Sequence, residues 1–218
     1  MSNRFAWLES AGKLLESCDP IKGYFVLEGP PCAGKTTSIN SLTVSKSLVA
    51  VDELRLPPGE ESNEGYLLLE RERSKKILDL LEKVPCVIGD RSVVATLAYR
   101  HAFFACFGED ETLASLDTLE SLVNDRAIIL PCRVAHLSIS PQTSMLRQSV
   151  RDRDVLSGRI WYDASFIRAF SEGTSWLLDH LRDRTGCSVS SLNTERNSVE
   201  QTISFVSKHF EVSYETSA

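Results

Sequence analysis

The sequence lacks several features that would assign it at once to a class of protein. Its six cysteines stand far apart and form no CxxC pair, which argues against a disulfide framework and a zinc site. No apolar run reaches the roughly 18 residues of a membrane span. Charged residues also interrupt the first 18 positions, unlike the apolar core of a signal peptide. We therefore predict a cytoplasmic protein with free thiols and no membrane partner.

Positive charge is also scarce in this sequence. The 218 residues include 24 Lys and Arg against 30 Asp and Glu, which gives a formal net charge of −6. Domains that coat nucleic acid usually carry net positive charge, so a nucleic-acid partner is not expected. The hydrophobic content of 42% suits the core of one globular domain. We expect a single domain over residues 1–218.

Short apolar runs alternate with longer helical periods along the chain. This alternation is typical of α/β proteins, in which helices connect parallel strands. The predicted strands are residues 24–27, 47–51, 85–89, 134–139 and 187–192. The predicted helices are 5–15, 35–42, 65–83, 92–107, 112–124, a helix that opens at 140–141, 164–183 and 198–209.

One segment carries a phosphate-binding motif. Residues 29–36 spell GPPCAGKT, which fits G-x-x-x-x-G-K-[ST] between an apolar strand and a helix. Its glycines let backbone N–H groups turn toward phosphate oxygens, and the helix N-terminus adds positive charge. We expect Lys35 to contact the β- and γ-phosphates of ATP and the Thr36 hydroxyl to bind Mg²⁺. The predicted nucleotide-binding residues are Gly29, Pro30, Pro31, Cys32, Ala33, Gly34, Lys35, Thr36 and Thr37.

This P-loop and the alternating pattern together predict the fold class. We expect an α/β, P-loop NTPase-type three-layer sandwich, with a mainly parallel five-stranded sheet flanked by helices. Ligands of such sheets bind at the carboxyl ends of the strands. The polar residues that follow each strand are therefore the candidates for the rest of the site.

An acid and a base follow the third predicted strand. Asp90 is a candidate for the Mg²⁺ ion and its water shell. Arg91 is a candidate for clamping a phosphate, because a guanidinium donates two parallel hydrogen bonds. The alternative is a surface ion pair, which would contribute little.

Three segments resemble a known family. Residues 67–73, 87–92 and 96–100 resemble the thymidylate kinases, and Asp90-Arg91-Ser92 resembles the acid-Arg-Ser motif of the deoxynucleoside kinases. The similarity in the order of elements covers about residues 24–209. It implies a kinase that uses ATP and Mg²⁺, in which Asp90 serves the metal and Arg91 the transferring phosphate.

The resemblance also implies that an arginine of the preceding helix contacts the acceptor. The helical period favours Arg73, whereas the spacing to Asp90 favours Arg71, and both stay open. Arg100 stands where thymidylate kinases often have an amide that contacts the base. Aromatic side chains nearby are candidates for stacking on a nucleobase, although such residues are more often core. The predicted acceptor-contact residues are Tyr66, Arg71, Arg73, Arg100 and Phe104.

Two carboxylates follow the second predicted strand. In the deoxynucleoside kinases, which the chain resembles, a carboxylate at this place is the general base for a sugar hydroxyl. A hydroxyl acceptor must lose a proton, whereas an acceptor phosphate is already anionic. Asp52 and Glu53 therefore favour an acceptor with a hydroxyl group, and either is a candidate base. The alternative is a pair of exposed turn carboxylates.

An arginine-rich segment follows the fourth predicted strand. Arg147, Arg151 and Arg153 fall within seven positions of one another, and Arg159 follows. Nucleoside and nucleotide kinases have a lid at this place, so we predict a lid at about residues 147–160 with Arg147, Arg151 and Arg153 as catalytic arginines. Phosphoryl transfer depends on placed charge and excluded water, which a lid supplies. The alternative is a solvated basic helix.

These features predict an ATP-dependent kinase that phosphorylates a nucleoside, a nucleotide or a related metabolite. One alternative is an antibiotic- or sugar-modifying P-loop phosphotransferase. Another is a nucleotide-dependent regulatory binding protein, although the Asn-Lys-x-Asp motif of GTPases is absent from the sequence. The expected partner is a small-molecule phosphate acceptor, and a homodimer is among the alternatives for the oligomeric state.

Overall fold

A computed structural model describes residues 3–43, 48–53, 56, 63–108, 112–151 and 159–211. The α-helices are α1 (Asn3–Leu15), α2 (Lys35–Leu42), α3 (Asn63–Leu81), α4 (Val93–Phe107), α5 (Thr112–Asn124), α6 (Pro141–Arg151), α7 (Ala164–Thr185) and α8 (Val199–Phe210). The strands are β1 (Pro20–Glu28), β2 (Leu48–Val51), β3 (Cys86–Asp90), β4 (Leu130–Ser138) and β5 (Ser188–Asn193). A short 3₁₀ helix, Arg159–Tyr162, precedes α7.

The five strands form one sheet in the order β2-β3-β1-β4-β5, and all four neighbouring pairs are parallel. The predicted fold class is therefore confirmed, with β1 at the centre of the sheet. Because parallel strands all point the same way, their carboxyl ends meet at one edge. The P-loop follows β1 at this edge, and the turns after β2 and β3 lie beside it.

Helices cover both faces of the sheet. Alternate residues of β1 and β4 point to opposite faces, so each face packs against its own set of helices. Tyr24, Val26 and Val134 belong to the larger apolar cluster, which includes residues of α1, α3, α4, α5 and α7. Phe25 and Leu137 belong to the smaller cluster with α2 and α8. These two clusters make the three layers of the sandwich.

Two strands begin earlier than predicted. β1 starts at Pro20 and β4 at Leu130, and the register between them shifts between Ile21 and Phe25. Gly23 lies inside β1 with a φ of +86°, and a Cβ there would lie 2.5 Å from the carbonyl oxygen of Pro85. Gly23 interrupts the apolar pattern of β1, so the sequence predicts only the part of this strand that follows the glycine.

In the described part of the chain, no helix is both long enough and apolar enough to cross a membrane.

Candidate nucleotide-binding and acceptor site

The P-loop has the backbone conformation of an anion-binding loop. Gly29 has a φ of +137°, Cys32 of +58° and Gly34 of +100°. A Cβ on Gly29 would lie 2.0 Å from the carbonyl oxygen of Leu137, so β4 leaves space for glycine alone at this position. Left-handed residues in such a turn direct backbone N–H groups into a concavity, and the N-terminus of α2 closes it.

Lys35 lies across this loop. Its Nζ donates hydrogen bonds to the carbonyl oxygens of Gly29 and Pro30, each at 3.0 Å, and only 6% of the residue is exposed. Burial, followed by repulsion from Arg91, lowers the pKa of Lys35 to about 8. A bound anion would favour the charged ammonium, so a phosphate in this loop would raise the pKa of Lys35 again.

Side chains from outside the P-loop hold three of its successive carbonyl groups. Ser144 Oγ donates to the Pro31 oxygen at 2.9 Å, Arg147 Nη1 to the Cys32 oxygen at 3.2 Å, and Thr194 Oγ1 to the Ala33 oxygen at 3.1 Å. Arg147 Nη2 also donates to the carbonyl oxygen of Thr194 at 3.1 Å. Fixing a carbonyl fixes the whole peptide plane, so these contacts also set the directions of the loop's N–H groups.

Thr36 and Asp90 meet where the P-loop passes the end of β3. Thr36 Oγ1 donates to Asp90 Oδ2 at 3.2 Å. Asp90 Oδ1 is buried and has no hydrogen-bond partner among the described residues. A hydroxyl and a carboxylate with a spare oxygen suit Mg²⁺, which prefers oxygen ligands and is often completed by phosphates and water. No cluster of three or more His, Cys, Asp or Glu side chains that could hold a metal ion occurs in the described ranges.

Arg91 follows Asp90 in an unusual backbone conformation, with a φ of +73°. Its Nε lies 2.6 Å from Glu53 Oε1, and 10% of its side chain is exposed. The guanidinium carbon lies 5.7 Å from the ring centre of Trp161 and 5.3 Å from that of Phe170. An acid and two rings therefore fix this cation at the end of β3.

The structure distinguishes the two carboxylates after β2. Asp52 is exposed, whereas Glu53 is half-buried and pairs with Arg91. Glu53 is thus the carboxylate that lies beside Arg91.

The two arginines of α3 also differ. Arg73 is buried, and its Nη1 donates to both carboxylate oxygens of Glu70 at 2.9 and 3.0 Å. Thr96 of α4 donates to Glu70 Oε1 at 2.7 Å. Arg71 is exposed and contacts Glu72. Arg73 therefore points into the protein, as the helical period favoured, and Arg71 points outward.

The remaining acceptor candidates lie on α3 and α4. Arg100 is buried and its Nη2 donates to Ser115 of α5 at 3.3 Å. Tyr66 contacts Tyr99 at a ring distance of 6.2 Å, and Tyr99 contacts Trp161 at 5.9 Å. Among the described residues, the ring contacts of α4 come from Tyr99, Phe103, Phe107 and His101, and none from Phe104. An aromatic wall thus runs from Tyr66 to the ring beside Arg91.

The predicted lid is described in part. Arg147 lies on α6 and contacts the P-loop backbone. Arg151 ends α6, but its side chain and the whole of Arg153 lie outside the described residues, as do residues 152–158. The catalytic roles of these arginines stay predictions.

Some residues of the site received no role from the sequence. Glu28, the last residue of β1, and Ser144 of α6 are not among the predicted site residues. A carboxylate at the end of a buried apolar strand, as at Glu28, is a local sequence signal for such a residue. The contacts of Ser144 and Thr194 join residues more than 100 positions apart, so local sequence carries no sign of them.

The parallel sheet and the P-loop after its central strand define a P-loop α/β fold, and solved nucleoside and nucleotide kinases share this fold. A deoxyadenosine kinase from M. mycoides, solved with dATP, is similar with a TM-score of 0.62 and 14% identity, over 86% of this chain and 98% of that one. A thymidylate kinase from Candida albicans has a TM-score of 0.59 and 18% identity, over 89% of this chain and 96% of that one.

Sequence comparisons add nothing to this likeness. No protein-family model matches the chain. A search of curated proteins likewise finds no match. The chain therefore has a deoxynucleoside kinase- and thymidylate kinase-like fold, which confirms the structural side of the sequence resemblance.

Proposed function

We propose that this protein is an ATP-dependent kinase that transfers the γ-phosphoryl group of ATP to a hydroxyl group of a nucleoside-like small molecule. The observation that carries the proposal is the ion pair between Arg91 and Glu53, which places a carboxylate next to a phosphate-site cation. The P-loop lies beside this pair, and kinases of nucleosides and nucleotides share the fold.

The donor side of the proposed site consists of the P-loop, Lys35 and the Thr36–Asp90 pair. The loop N–H groups and the Lys35 ammonium bind the phosphates. Thr36 and Asp90 would supply oxygen ligands for Mg²⁺, which when bound would neutralise part of the phosphate charge. Lys35 and Arg91 stabilise the negative charge that the transferring group carries in the transition state.

On the acceptor side, Glu53 accepts the proton of the acceptor hydroxyl. The acceptor oxygen forms a bond to the γ-phosphorus, and the bond from that phosphorus to the β–γ bridging oxygen breaks, which releases ADP. A phosphate acceptor has no such proton to lose, so a carboxylate at this place favours a hydroxyl acceptor. The Tyr66–Tyr99–Trp161 wall and the buried Arg73–Glu70 pair suit a flat, polar-edged base.

An acceptor panel with Mg²⁺ and ATP tests this function. The panel contains nucleosides, nucleoside monophosphates, and sugar and aminoglycoside-like alcohols, with ADP formation and ³¹P NMR of the product as readouts. We expect phosphorylation of a nucleoside. Turnover of sugars or aminoglycosides alone would instead indicate the modifying phosphotransferase, and nucleotide binding without any acceptor would indicate a regulatory protein.

Two matched variants test the role of Glu53. Glu53→Gln removes the base, and we expect kcat to fall by about 10²–10⁴-fold. Asp52→Asn makes the same chemical change one residue away at an exposed position, and we expect kcat to stay close to that of the wild type. A larger loss in Asp52→Asn than in Glu53→Gln would reject the assignment.

A further inference from the structure

Glu28 is a fully buried carboxyl group that the proposed chemistry does not use. It is the last residue of β1, directly before the P-loop, and 0% of the residue is exposed. Taking a carboxyl group out of water is unfavourable unless its neighbours compensate, so its contacts indicate what it does.

One oxygen of Glu28 holds the turn that follows β3. Glu28 Oε1 accepts hydrogen bonds from the backbone N–H of Ser92 at 2.8 Å and from Ser92 Oγ at 2.6 Å. Ser92 is in turn the N-cap of α4, because its Oγ accepts a hydrogen bond from the Val94 N–H at 3.2 Å. The carboxyl group thus joins the central strand to the start of α4.

The turn that Glu28 holds contains Arg91, whose φ of +73° lies in the left-handed region that residues other than glycine rarely adopt. The Arg91 N–H donates to the Leu27 carbonyl oxygen at 3.1 Å, and the next N–H, that of Ser92, donates to Glu28. Two successive N–H groups are therefore tied to two successive residues of β1. This arrangement sets the direction in which the Arg91 side chain leaves the backbone.

We propose that Glu28 is a positioning residue, which acts through Ser92 to hold Arg91 against Glu53 and Trp161. The proposal rests on the proposed kinase function, in which Arg91 binds the transferring phosphate. Glu28 itself touches neither substrate in this mechanism.

In this proposal the two hydrogen bonds that Glu28 Oε1 accepts, and not its charge, carry the positioning role. Burial is the main reason that the pKa of Glu28 is raised to about 7, although Ser92, Arg91 and Lys35 oppose the rise. The Glu28 charge is in turn one of the electrostatic influences on Tyr24 and Arg73, and His136 is the register partner of Glu28 on β4. Oε1 accepts both bonds whether or not the group is ionised, and the buried Oε2 has no hydrogen-bond partner among the described residues. A glutamine with its oxygen at the Oε1 position should therefore keep both bonds, with its amide group at the Oε2 position.

The test compares Glu28→Gln, which keeps the acceptor oxygen, with Glu28→Ala, which removes it. We expect Glu28→Gln to stay within about tenfold of the wild-type kcat, and Glu28→Ala to lose about 10²-fold, because a small displacement of a catalytic group has an effect of that size. We expect the affinity for Mg²⁺ and ATP, measured by calorimetry, to stay close to wild type in both. Equal losses in the two variants, or a parallel loss of nucleotide affinity, would overturn the proposal.

A double-mutant cycle tests whether Glu28 acts through Arg91. In an Arg91→Ala background, Glu28→Ala should cause little further loss of kcat, because the group that it positions is already gone. Independent, additive losses would show that Glu28 acts by another route.

A readout without turnover separates this proposal from the proposed function. Arg91 lies over the Trp161 ring, so its displacement should change the Trp161 emission, with Trp161→Phe identifying that signal. We expect Glu28→Ala to give the emission of Arg91→Ala, and Glu28→Gln to give that of the wild type. This pattern in a protein that phosphorylates no acceptor would support the positioning and reject the kinase. An unchanged emission in Glu28→Ala would overturn the positioning.

Ser92→Ala covers the case in which Glu28→Ala does not fold. It removes one of the two bonds to Glu28 and should lower kcat in the same direction by a smaller factor. Since it also removes a helix N-cap, the matched control is Ser198→Ala, which removes the N-cap of α8. If both serine variants lower kcat equally, general helix destabilisation explains the effect and the proposal fails.

Discussion

At the scale of the residue, charge in this site is set by burial. The Lys35 ammonium lies inside the P-loop with a pKa lowered to about 8, and the Glu28 carboxyl lies beside it with a pKa raised to about 7. Both shifts have desolvation as their largest cause. Burial therefore makes the charged form of each group less favourable in the folded protein than in water. Such shifted pKa values are often found in sites that bind highly charged ligands.

The Lys35 shift predicts how stability depends on pH. The unfolded chain keeps the Lys35 proton up to a pKa of about 10.5, whereas the folded protein releases it near pH 8. Between these values the unfolded state binds more protons, so this residue makes the free energy of unfolding rise with pH, by at most about 3 kcal/mol. Urea unfolding from pH 7.5 to 10 should show this component in the wild type.

Lys35→Met is the control for this measurement, because it keeps much of the side chain's length without its charge. The difference in unfolding free energy between wild type and variant should shift in favour of the wild type as pH rises. A constant difference over this range would contradict the lowered pKa. The titration of groups remote from Lys35 is common to both proteins and cancels, whereas that of Glu28 does not, because the Lys35 charge acts on its pKa.

At the scale of the element, the sequence predicts the five strands of the sheet and the α-helices around it, but not the contacts between these elements. Apolar runs and turn residues are local signals, and they were sufficient for the strand ends at which Asp90 and Glu53 lie. The inward direction of Arg73 also followed from the helical period. The hydrogen bonds of α6 to the P-loop did not, because they depend on how residues about 115 positions apart pack together.

The contact between α6 and the P-loop yields a prediction at this scale. Arg147 joins the carbonyl groups of Cys32 and Thr194, so Arg147→Ala should loosen the loop and weaken Mg²⁺–ATP binding by about tenfold, as the loss of a charge-assisted contact would. Calorimetry measures the change. Arg182→Ala, at an exposed arginine near the end of α7, is the matched control and should leave the affinity unaltered.

An effect of Arg147→Ala on kcat alone, with nucleotide affinity unchanged, would instead support the role that the sequence suggested, a lid arginine acting on the transferring phosphate. The two outcomes separate loop positioning from direct catalysis, since binding and turnover are measured independently.

At the scale of the whole molecule, the P-loop joins distant parts of the fold. The P-loop follows the central strand, rests on β4 through Gly29, and receives hydrogen bonds from α6 and from the turn after β5. A ligand that binds this loop therefore contacts a structure supported by both helix layers. Its binding should appear in the stability of the entire domain and not in a local segment alone.

This coupling gives a prediction that needs no knowledge of the acceptor. A ligand that binds only the folded state, present at a concentration of 100 times its Kd, adds about 2.7 kcal/mol to the free energy of unfolding. For a domain of this size that corresponds to a rise in Tm of about 5–10 °C. We expect Mg²⁺ and ATP to raise the Tm of the wild type by such an amount, measured by calorimetric or fluorescence melting.

Two controls of this melting experiment test whether the rise in Tm comes from nucleotide binding at the P-loop. Removing Mg²⁺ with EDTA should reduce the shift, because Thr36 and Asp90 then have no metal to share with the phosphates. Lys35→Met should show little shift with the same ligands, although its melting without nucleotide should remain cooperative. A full shift in Lys35→Met would place nucleotide binding outside the P-loop, and no shift in the wild type would remove the donor on which the proposed phosphoryl transfer depends.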